Sequence, residues 1–146
     1  MKVLIINGSP RTGGNTDLAL REMEKVFTGE GVETKRLNIG TQSIRGCIAC
    51  GACSRTGKCT FDDVVNRAAD LLCECDGMVV GTPVYYASAN GTVISFLDRL
   101  FYSVPCDLTM KVGAAVAVAR RGGTSATFDE LNKYSTISGM PVASSQ

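Results

Sequence analysis

Four closely spaced cysteines are the residues whose type and spacing most clearly suggest chemistry in this sequence. They are Cys47, Cys50, Cys53 and Cys59. Two gaps of two residues let three thiolates converge from one tight loop, and glycines at 46, 51 and 57 allow the backbone to wrap closely. Chains hold cubane iron–sulfur clusters in this way. The spacing therefore favours a [4Fe–4S] site in a cysteine-rich loop at about residues 46–60.

The cysteine spacing leaves two other interpretations open. Zinc usually takes two separated Cys-x2-Cys pairs and is a weaker match. The common ferredoxin run ends with a three-residue gap and a Cys-Pro pair, whereas here the gap is five residues and Thr60 follows. The four thiols could also be vacant, acting as small side chains or free cysteines.

The remaining cysteines, Cys73, Cys75 and Cys106, fall at the ends of predicted elements and are expected to be packing residues.

A glycine-rich loop follows the first apolar run and predicts an anion site. Glycines let a backbone turn its amide groups inward, and the N-terminus of the following helix adds positive potential. The residues expected to hold a phosphate there are Ser9, Arg11, Gly14, Asn15 and Thr16. The sequence has neither the Gly-Lys-Ser/Thr of an ATP loop nor the G-x-G-x-x-G of a dinucleotide fold. An ordinary solvated capping turn is the alternative.

Two further loops follow apolar runs and offer candidate binding residues. The first contains Pro83, Val84, Tyr85 and Tyr86. Tyrosine rings beside a sheet edge can stack on a flat ring system, although one of the two could instead pack in the core. The second contains Arg120, Gly122 and Gly123, which pair glycines with donors at a helix start, although the arginine could be a solvated surface charge.

Composition excludes several classes of function. The net charge of +1 gives no sign of binding to a nucleic-acid backbone or an anionic membrane. The apolar start of the chain is too short for a signal peptide, and the default location is the cytoplasm. The sequence contains no histidine, which excludes Ser-His and Cys-His nucleophile pairs. We therefore expect a cofactor, rather than a side chain, to carry any reactive chemistry.

Apolar patterns alternate between strands and helices along the chain. The predicted strands are Val3–Ile6, Val32–Leu37, Met78–Gly81, Val112–Ala119 and Met140–Ala143. Helices are predicted from Thr16 to about Gly29, after the Asp62-Asp63 cap, from Val93 to Phe101, and through Phe128 and Leu131. This alternation implies a three-layer α/β sandwich with a five-stranded parallel sheet and ligands at the carboxyl ends of its strands. Helices should cover both faces of the fourth strand, and the final helix of such a fold is expected to be absent.

Three motifs resemble those of the NADPH-dependent FMN reductase family, which has a flavodoxin-like fold. The first is Ile5-Ile6-Asn7-Gly8-Ser9-Pro10-Arg11 with Gly14-Asn15-Thr16 behind it, which resembles the family's FMN-phosphate loop. The second is Gly81-Thr82-Pro83-Val84-Tyr85-Tyr86, where the family's second loop passes the isoalloxazine ring. The third is the helix signature Phe96-Leu97-Asp98-Arg99. The cysteine motif resembles that of the iron–sulfur flavoproteins, a branch of the same family.

This resemblance implies a single flavodoxin-like domain over residues 1–146 that binds FMN and transfers electrons. The implied donor is NAD(P)H or a ferredoxin-like protein, and the acceptor is a quinone, a free flavin or an iron–sulfur centre. Asp98 and Arg99 are expected to form a structural pair near a subunit contact in a homodimer or homotetramer. Two alternatives are an electron carrier without a small-molecule substrate and a metal- or redox-sensing protein without flavin.

Overall fold

The structure is a computed structural model that describes residues 1–144. Its elements in chain order are β1 (Lys2–Asn7), α1 (Asn15–Gly29), β2 (Glu33–Asn38), α2 (Ala52–Thr56), α3 (Val64–Glu74), β3 (Gly77–Tyr85), β4 (Ser88–Ala89), α4 (Gly91–Ser103), β5 (Val112–Val118) and α5 (Thr124–Ile137).

The sheet pairs β2, β1, β3 and β5 in that order, all parallel. The short β4 folds back antiparallel onto the end of β3. Where the sequence predicted a last strand at Met140–Ala143, the structure has a single parallel bridge between Gly113 and Val142. The α/β sandwich is confirmed, and the parallel pairing brings the carboxyl ends of β1, β3 and β5 to one edge of the sheet.

Apolar side chains cover both faces of the central strands. On one face Leu4, Ile6 and Val80 pack in a cluster with α3 and α4, and on the other Ile5 and Val79 pack with α1. Burial on both faces explains why β1 and β3 read as continuous apolar runs. Helices contact both faces of the fourth predicted strand, now β5, as expected: α1 lies against one face and α5 against the other, although most of β5 is only half-buried.

Two helices begin at side-chain caps. The Asp63 carboxylate accepts a hydrogen bond from the Val65 amide at 3.0 Å and starts α3, as the sequence predicted. The Asn90 side chain does the same for α4 through the Thr92 amide at 2.8 Å. Each such cap stabilises its helix by about 1 kcal/mol. Within residues 1–144, no helix has both the length and the apolar character needed to cross a membrane.

A disulfide corrects the assignment of two cysteines. Cys73 and Cys106, expected to be packing residues, form a bridge between the end of α3 and the segment that follows α4, with their Cα atoms 5.7 Å apart. Cys75 is buried and unbridged, as expected. The two partners are 33 residues apart in sequence, and only the packing of α3 beside α4 brings them together. Sequence spacing therefore gave no signal for the bridge.

We expect the substitution Gly81→Ala to destabilise the fold, because an added Cβ would lie 2.6 Å from the fully buried Leu20 side chain. Such overpacking costs about 1–3 kcal/mol of unfolding free energy. The matched control is Gly29→Ala, whose added Cβ meets no atom within 4 Å. Urea denaturation of both variants measures the difference, and equal stability would contradict the packing described here.

Candidate functional site

The loop between β1 and α1 is held in a tight turn by its own backbone. The Gly8 amide donates to the Gly81 carbonyl at 2.8 Å, which ties the start of the loop to the end of β3. The Ser9 amide donates to the Asn7 side chain at 3.0 Å, and the Arg11 amide donates to the Ser9 hydroxyl at 3.2 Å. The Ser9 and Arg11 side chains, both proposed from sequence, therefore lie together at an exposed turn.

The turn leads directly into the N-terminus of α1. Gly14 is the cap residue, and among residues 1–144 no side chain accepts a hydrogen bond at this cap. Asn15 and Thr16 form the first turn of the helix, with Asn15 exposed and Thr16 buried. The amides of a first helical turn lack partners within the helix and carry partial positive charge. All five residues predicted to hold a phosphate are thus placed around one helix start.

Asp17 supports this loop from the interior and was missed by the sequence analysis. It is 3% exposed, and its carboxylate accepts from the Gly13 amide at 2.9 Å and from the Asn7 side chain at 3.3 Å. It also pairs with Arg36 and, at 3.0 Å, with Arg21. Burial alone would raise the pKa of Asp17, but the Gly13 hydrogen bond and the two arginines outweigh burial and lower it. Asp17 therefore stays charged and holds the loop.

Two more residues position the same loop. The buried Asn90 side chain donates to the Gly8 carbonyl at 3.2 Å, across 82 residues of sequence. A Cβ at Gly40 would lie 2.2 Å from the backbone of Ser9, so only glycine permits that approach. The sequence analysis identified neither Asn90 nor Gly40.

The end of β3 presents the two predicted tyrosines to solvent. Pro83 and Val84 are half-buried, whereas Tyr85 is 46% exposed and Tyr86 is fully exposed. Tyr86 and the following Ala87 both have positive φ, at 51° and 60°, a conformation that non-glycine residues adopt at some cost. Neither tyrosine packs in the core. Both rings are therefore free to meet a planar ligand at this edge.

The loop after β5 lies against this turn. Gly123 caps α5 with a φ of 95°, and a Cβ there would lie 2.6 Å from the Ala87 Cα. Glu130 of α5 accepts hydrogen bonds from the Ser88 hydroxyl and the Ala89 amide, each at 2.9 Å. The predicted Arg120 and Gly122 are exposed beside this contact. The second and third predicted loops are thus joined, and the first meets the second through Gly8 and Gly81.

These three loops together offer binding groups for a phosphate and for a flat ring. The helix start offers unpaired amides, a hydroxyl and the Arg11 guanidinium to a phosphate. The Tyr85 and Tyr86 side chains and the close backbone approach at Gly123 offer a surface for a flat ring. The residues present therefore fit a phosphorylated ligand with an aromatic ring, and their individual contacts with it stay predictions.

The four motif cysteines line one pocket of about 440 Å³. Cys47 and Cys50 are exposed, and Cys53 and Cys59 are half-buried. The other lining side chains include Ile48, Phe61 and Tyr102, so the walls are largely apolar. The loop turns sharply through left-handed conformations at 49, 51 and 57, two of which are glycines, as the sequence suggested.

A buried arginine reaches this pocket from α4. Arg99 is 1% exposed, and its Nε donates to the Cys59 Sγ at 3.3 Å. Its two terminal nitrogens bind the Asp63 carboxylate at 2.7 and 2.9 Å. Burial opposes the charge on Arg99, but the hydrogen bonds that it donates to Asp63 and Cys59 outweigh burial and raise the pKa of the guanidinium.

The expected pairing of Asp98 with Arg99 is wrong. Consecutive residues on a helix point in different directions, and Arg99 faces Asp63 while Asp98 accepts from the Tyr134 hydroxyl at 2.5 Å. Burial, followed by this hydrogen bond, raises the pKa of Tyr134. Arg99 thus belongs to the cysteine pocket and Asp98 to a contact with α5.

The four thiols supply the kind of donor set that a cubane cluster takes. Among residues 1–144, no three Cys, Asp or Glu side chains converge on one point closely enough to hold one ion. A zinc site needs its ligand sulfurs about 2.3 Å from a common centre. A cubane cluster instead binds each thiolate at a separate iron, so its ligands stand apart around a larger volume. Four thiols on the walls of one apolar pocket match that donor set.

Comparisons with known proteins identify the family of this chain. The family model described as NADPH-dependent FMN reductase matches residues 1–146. An iron–sulfur flavoprotein of Methanocaldococcus jannaschii is 35% identical over 97% of this chain and 75% of its own length. An iron–sulfur flavoprotein of Methanosarcina thermophila is 32% identical over 97% of this chain and 76% of its own length.

Among solved structures, a flavodoxin from the domain Archaea superposes with a TM-score of 0.69 at 17% identity. The superposition covers 99% of this chain and 80% of that one, and it shows the flavodoxin-like fold. Since the family model covers the whole sequence and the first relative exceeds 30% identity over most of both chains, the family is established. The chain belongs to the NADPH-dependent FMN reductase family, and its relatives include iron–sulfur flavoproteins.

Proposed function

We propose that this protein binds FMN at the three loops and uses it to transfer electrons from NAD(P)H to an acceptor. The observation that carries the proposal is the meeting of the three loops at one sheet edge, with an uncapped helix N-terminus at one of them. The description of the family supports FMN as the cofactor and a nicotinamide as the donor.

Each part of the site has a distinct role in this proposal. Ser9, Arg11 and the first amides of α1 bind the phosphate, while Asp17 keeps the turn closed from inside. The loops at Pro83–Tyr86 and Arg120–Gly123 orient the ring and limit access of water to one side. When bound, FMN supplies the hydride-accepting and electron-donating chemistry. No histidine is available as a base, so these residues bind and orient rather than exchange protons.

The cysteine pocket supports an additional electron-transfer role. We propose that Cys47, Cys50, Cys53 and Cys59 hold a [4Fe–4S] cluster, an assignment supported by the two iron–sulfur flavoproteins among the relatives. The acceptor is then an iron–sulfur centre, and a ferredoxin-like protein can replace NAD(P)H as donor. Without the cluster, a quinone or free flavin is the acceptor. Assembly as a homodimer or homotetramer in the cytoplasm stays a prediction from the resemblance.

The substitution Arg11→Ala should weaken FMN binding roughly 10- to 100-fold, because it removes a charged donor from the phosphate. Fluorescence titration of FMN into the flavin-free protein measures the dissociation constant. The matched control is Arg67→Ala, which removes the same charge from an exposed position on α3, outside the three loops. Equal affinity of the two variants would place the phosphate elsewhere.

Bound FMN should be reduced by a nicotinamide under anaerobic conditions, since the proposal makes NAD(P)H the donor. Stopped-flow absorbance in the flavin bands, with NADH and NADPH in separate runs, measures the rate. Arg11→Ala protein with its flavin site saturated should show nearly the wild-type rate, because Arg11 acts on the phosphate and not on the ring. Absence of reduction by either nicotinamide would favour an electron carrier that is reduced by another protein.

Replacing any of the four motif cysteines by serine should abolish or strongly reduce cluster incorporation, because each thiolate binds one iron. The assay is iron and acid-labile sulfide content after anaerobic reconstitution with ferrous iron and sulfide. The control is Cys75→Ala, which removes a buried thiol outside the loop. Full incorporation in the serine variants, or zinc in place of iron in the protein as isolated, would contradict the assignment.

A further inference from the structure

Two polar side chains of α4 line the cysteine pocket. Arg99 and Ser103 are four residues apart, so they lie one helical turn from each other on the same face. Both are buried, at 1% and 3% exposure, and both line the pocket together with the four thiols. The pocket walls are mostly apolar, and these two side chains are the buried polar groups that α4 contributes to the lining, since Tyr102 of the same helix is exposed.

The Ser103 hydroxyl lacks a partner. Among residues 1–144, its Oγ is the buried side-chain polar atom for which no hydrogen bond is formed. Leaving a buried hydroxyl unpaired costs free energy, and such groups are rare in folded proteins. Because this hydroxyl lines a pocket built from ligand thiols, the missing partner is best supplied by the occupant of that pocket.

Arg99 contacts one of the four proposed cluster ligands, the sulfur of Cys59. Its Nε donates to the Cys59 Sγ at 3.3 Å, while Asp63 holds the other end of the guanidinium through two hydrogen bonds. The carbonyls of Arg45 and Phe61 accept longer contacts at 3.4 and 3.5 Å. Because Asp63 holds the guanidinium in place, the Arg99 Nε stays within hydrogen-bond distance of the Cys59 sulfur. Hydrogen bonds and positive charge at the sulfurs of an iron–sulfur cluster favour its reduced state.

We propose that Arg99 and Ser103 are the positioning residues that set the reduction potential of the cluster in the cysteine pocket. Arg99 acts through the sulfur of Cys59, and the Ser103 hydroxyl donates to a sulfur of the cluster. The inference rests on the proposed [4Fe–4S] cluster and goes beyond it, since it assigns two residues outside the cysteine motif. Both raise the potential by stabilising the extra negative charge of the reduced cluster.

The test compares anaerobically reconstituted, FMN-containing wild-type protein with Ser103→Ala and Arg99→Lys. A redox titration followed by electron paramagnetic resonance gives the midpoint potential of the cluster. Ser103→Ala should lower the potential because it removes one donor. Arg99→Lys keeps the charge but loses the Nε donor and should also lower it. Ser54→Ala is the matched control, because the Ser54 hydroxyl lines the same pocket but donates to the Gly51 carbonyl at 2.8 Å.

Stability of the metal-free protein separates this role from a structural one. Ser103→Ala should be at least as stable as wild type to urea without the cluster, since the hydroxyl it removes has no partner there. A loss of stability in the metal-free variant would show that Ser103 supports the fold instead. Should the wild type incorporate the cluster while Ser103→Ala and Ser54→Ala keep its potential, the inference is wrong and the proposed function stands. Should the wild type incorporate no cluster, this inference and the cluster proposal fail together, while the proposed FMN binding is judged separately by the Arg11→Ala titration.

Discussion

The hydrogen bond from the Gly8 amide to the Gly81 carbonyl sets the geometry on which the flavin site depends. It extends the parallel pairing of β1 and β3 by one step beyond Asn7, so the phosphate loop starts at the sheet itself. A side chain is disfavoured at both positions. A Cβ at Gly8 would lie 2.1 Å from the Val93 side chain, and one at Gly81 would lie 2.6 Å from Leu20. The loop is thus fixed between helices from both faces of the sheet.

Helix α4 connects the two candidate sites. Its cap residue Asn90 holds the phosphate loop through the Gly8 carbonyl, and its last turns carry Arg99 and Ser103 into the cysteine pocket. At 1.5 Å per residue, Asn90 and Arg99 are about 14 Å apart along the helix axis. The segment after β2 makes a second connection, because Gly40 touches Ser9 and the Arg45 carbonyl accepts from Arg99. The two candidate sites therefore share α4 and the segment after β2 as structural supports.

The sequence was sufficient to predict the features that follow from local pattern. Continuous apolar runs identified β1 and β3 because both of their faces are buried, and the Asp63 cap was visible before α3. The ends of the predicted strands then identified the three loops that meet in the structure, because the carboxyl ends of parallel strands lie at one edge of the sheet. The cysteine spacing predicted one loop, and the structure places all four thiols around one pocket.

Features that depend on contacts between distant segments were not predictable in this way. Asn90 reaches Gly8 across 82 residues, and Cys73 reaches Cys106 across 33. Gly40 matters only because the Ser9 backbone passes beside it. Asp17 looked like an ordinary acidic residue in a first helical turn, where such residues are favoured anyway. No periodicity or motif distinguishes these residues until the chain is folded.

Each candidate site contains a buried charged side chain. Asp17 and Arg99 are nearly inaccessible to water, and each is balanced by hydrogen bonds and opposite charge. Replacing such buried pairs with apolar side chains of similar size is often neutral or stabilising, so stability alone does not explain them. What distinguishes these two is the further contact that each makes: Asp17 with the Gly13 amide of the phosphate loop, and Arg99 with the sulfur of Cys59. We therefore infer that each charge is buried because it holds a binding group in place, and not because it stabilises the core.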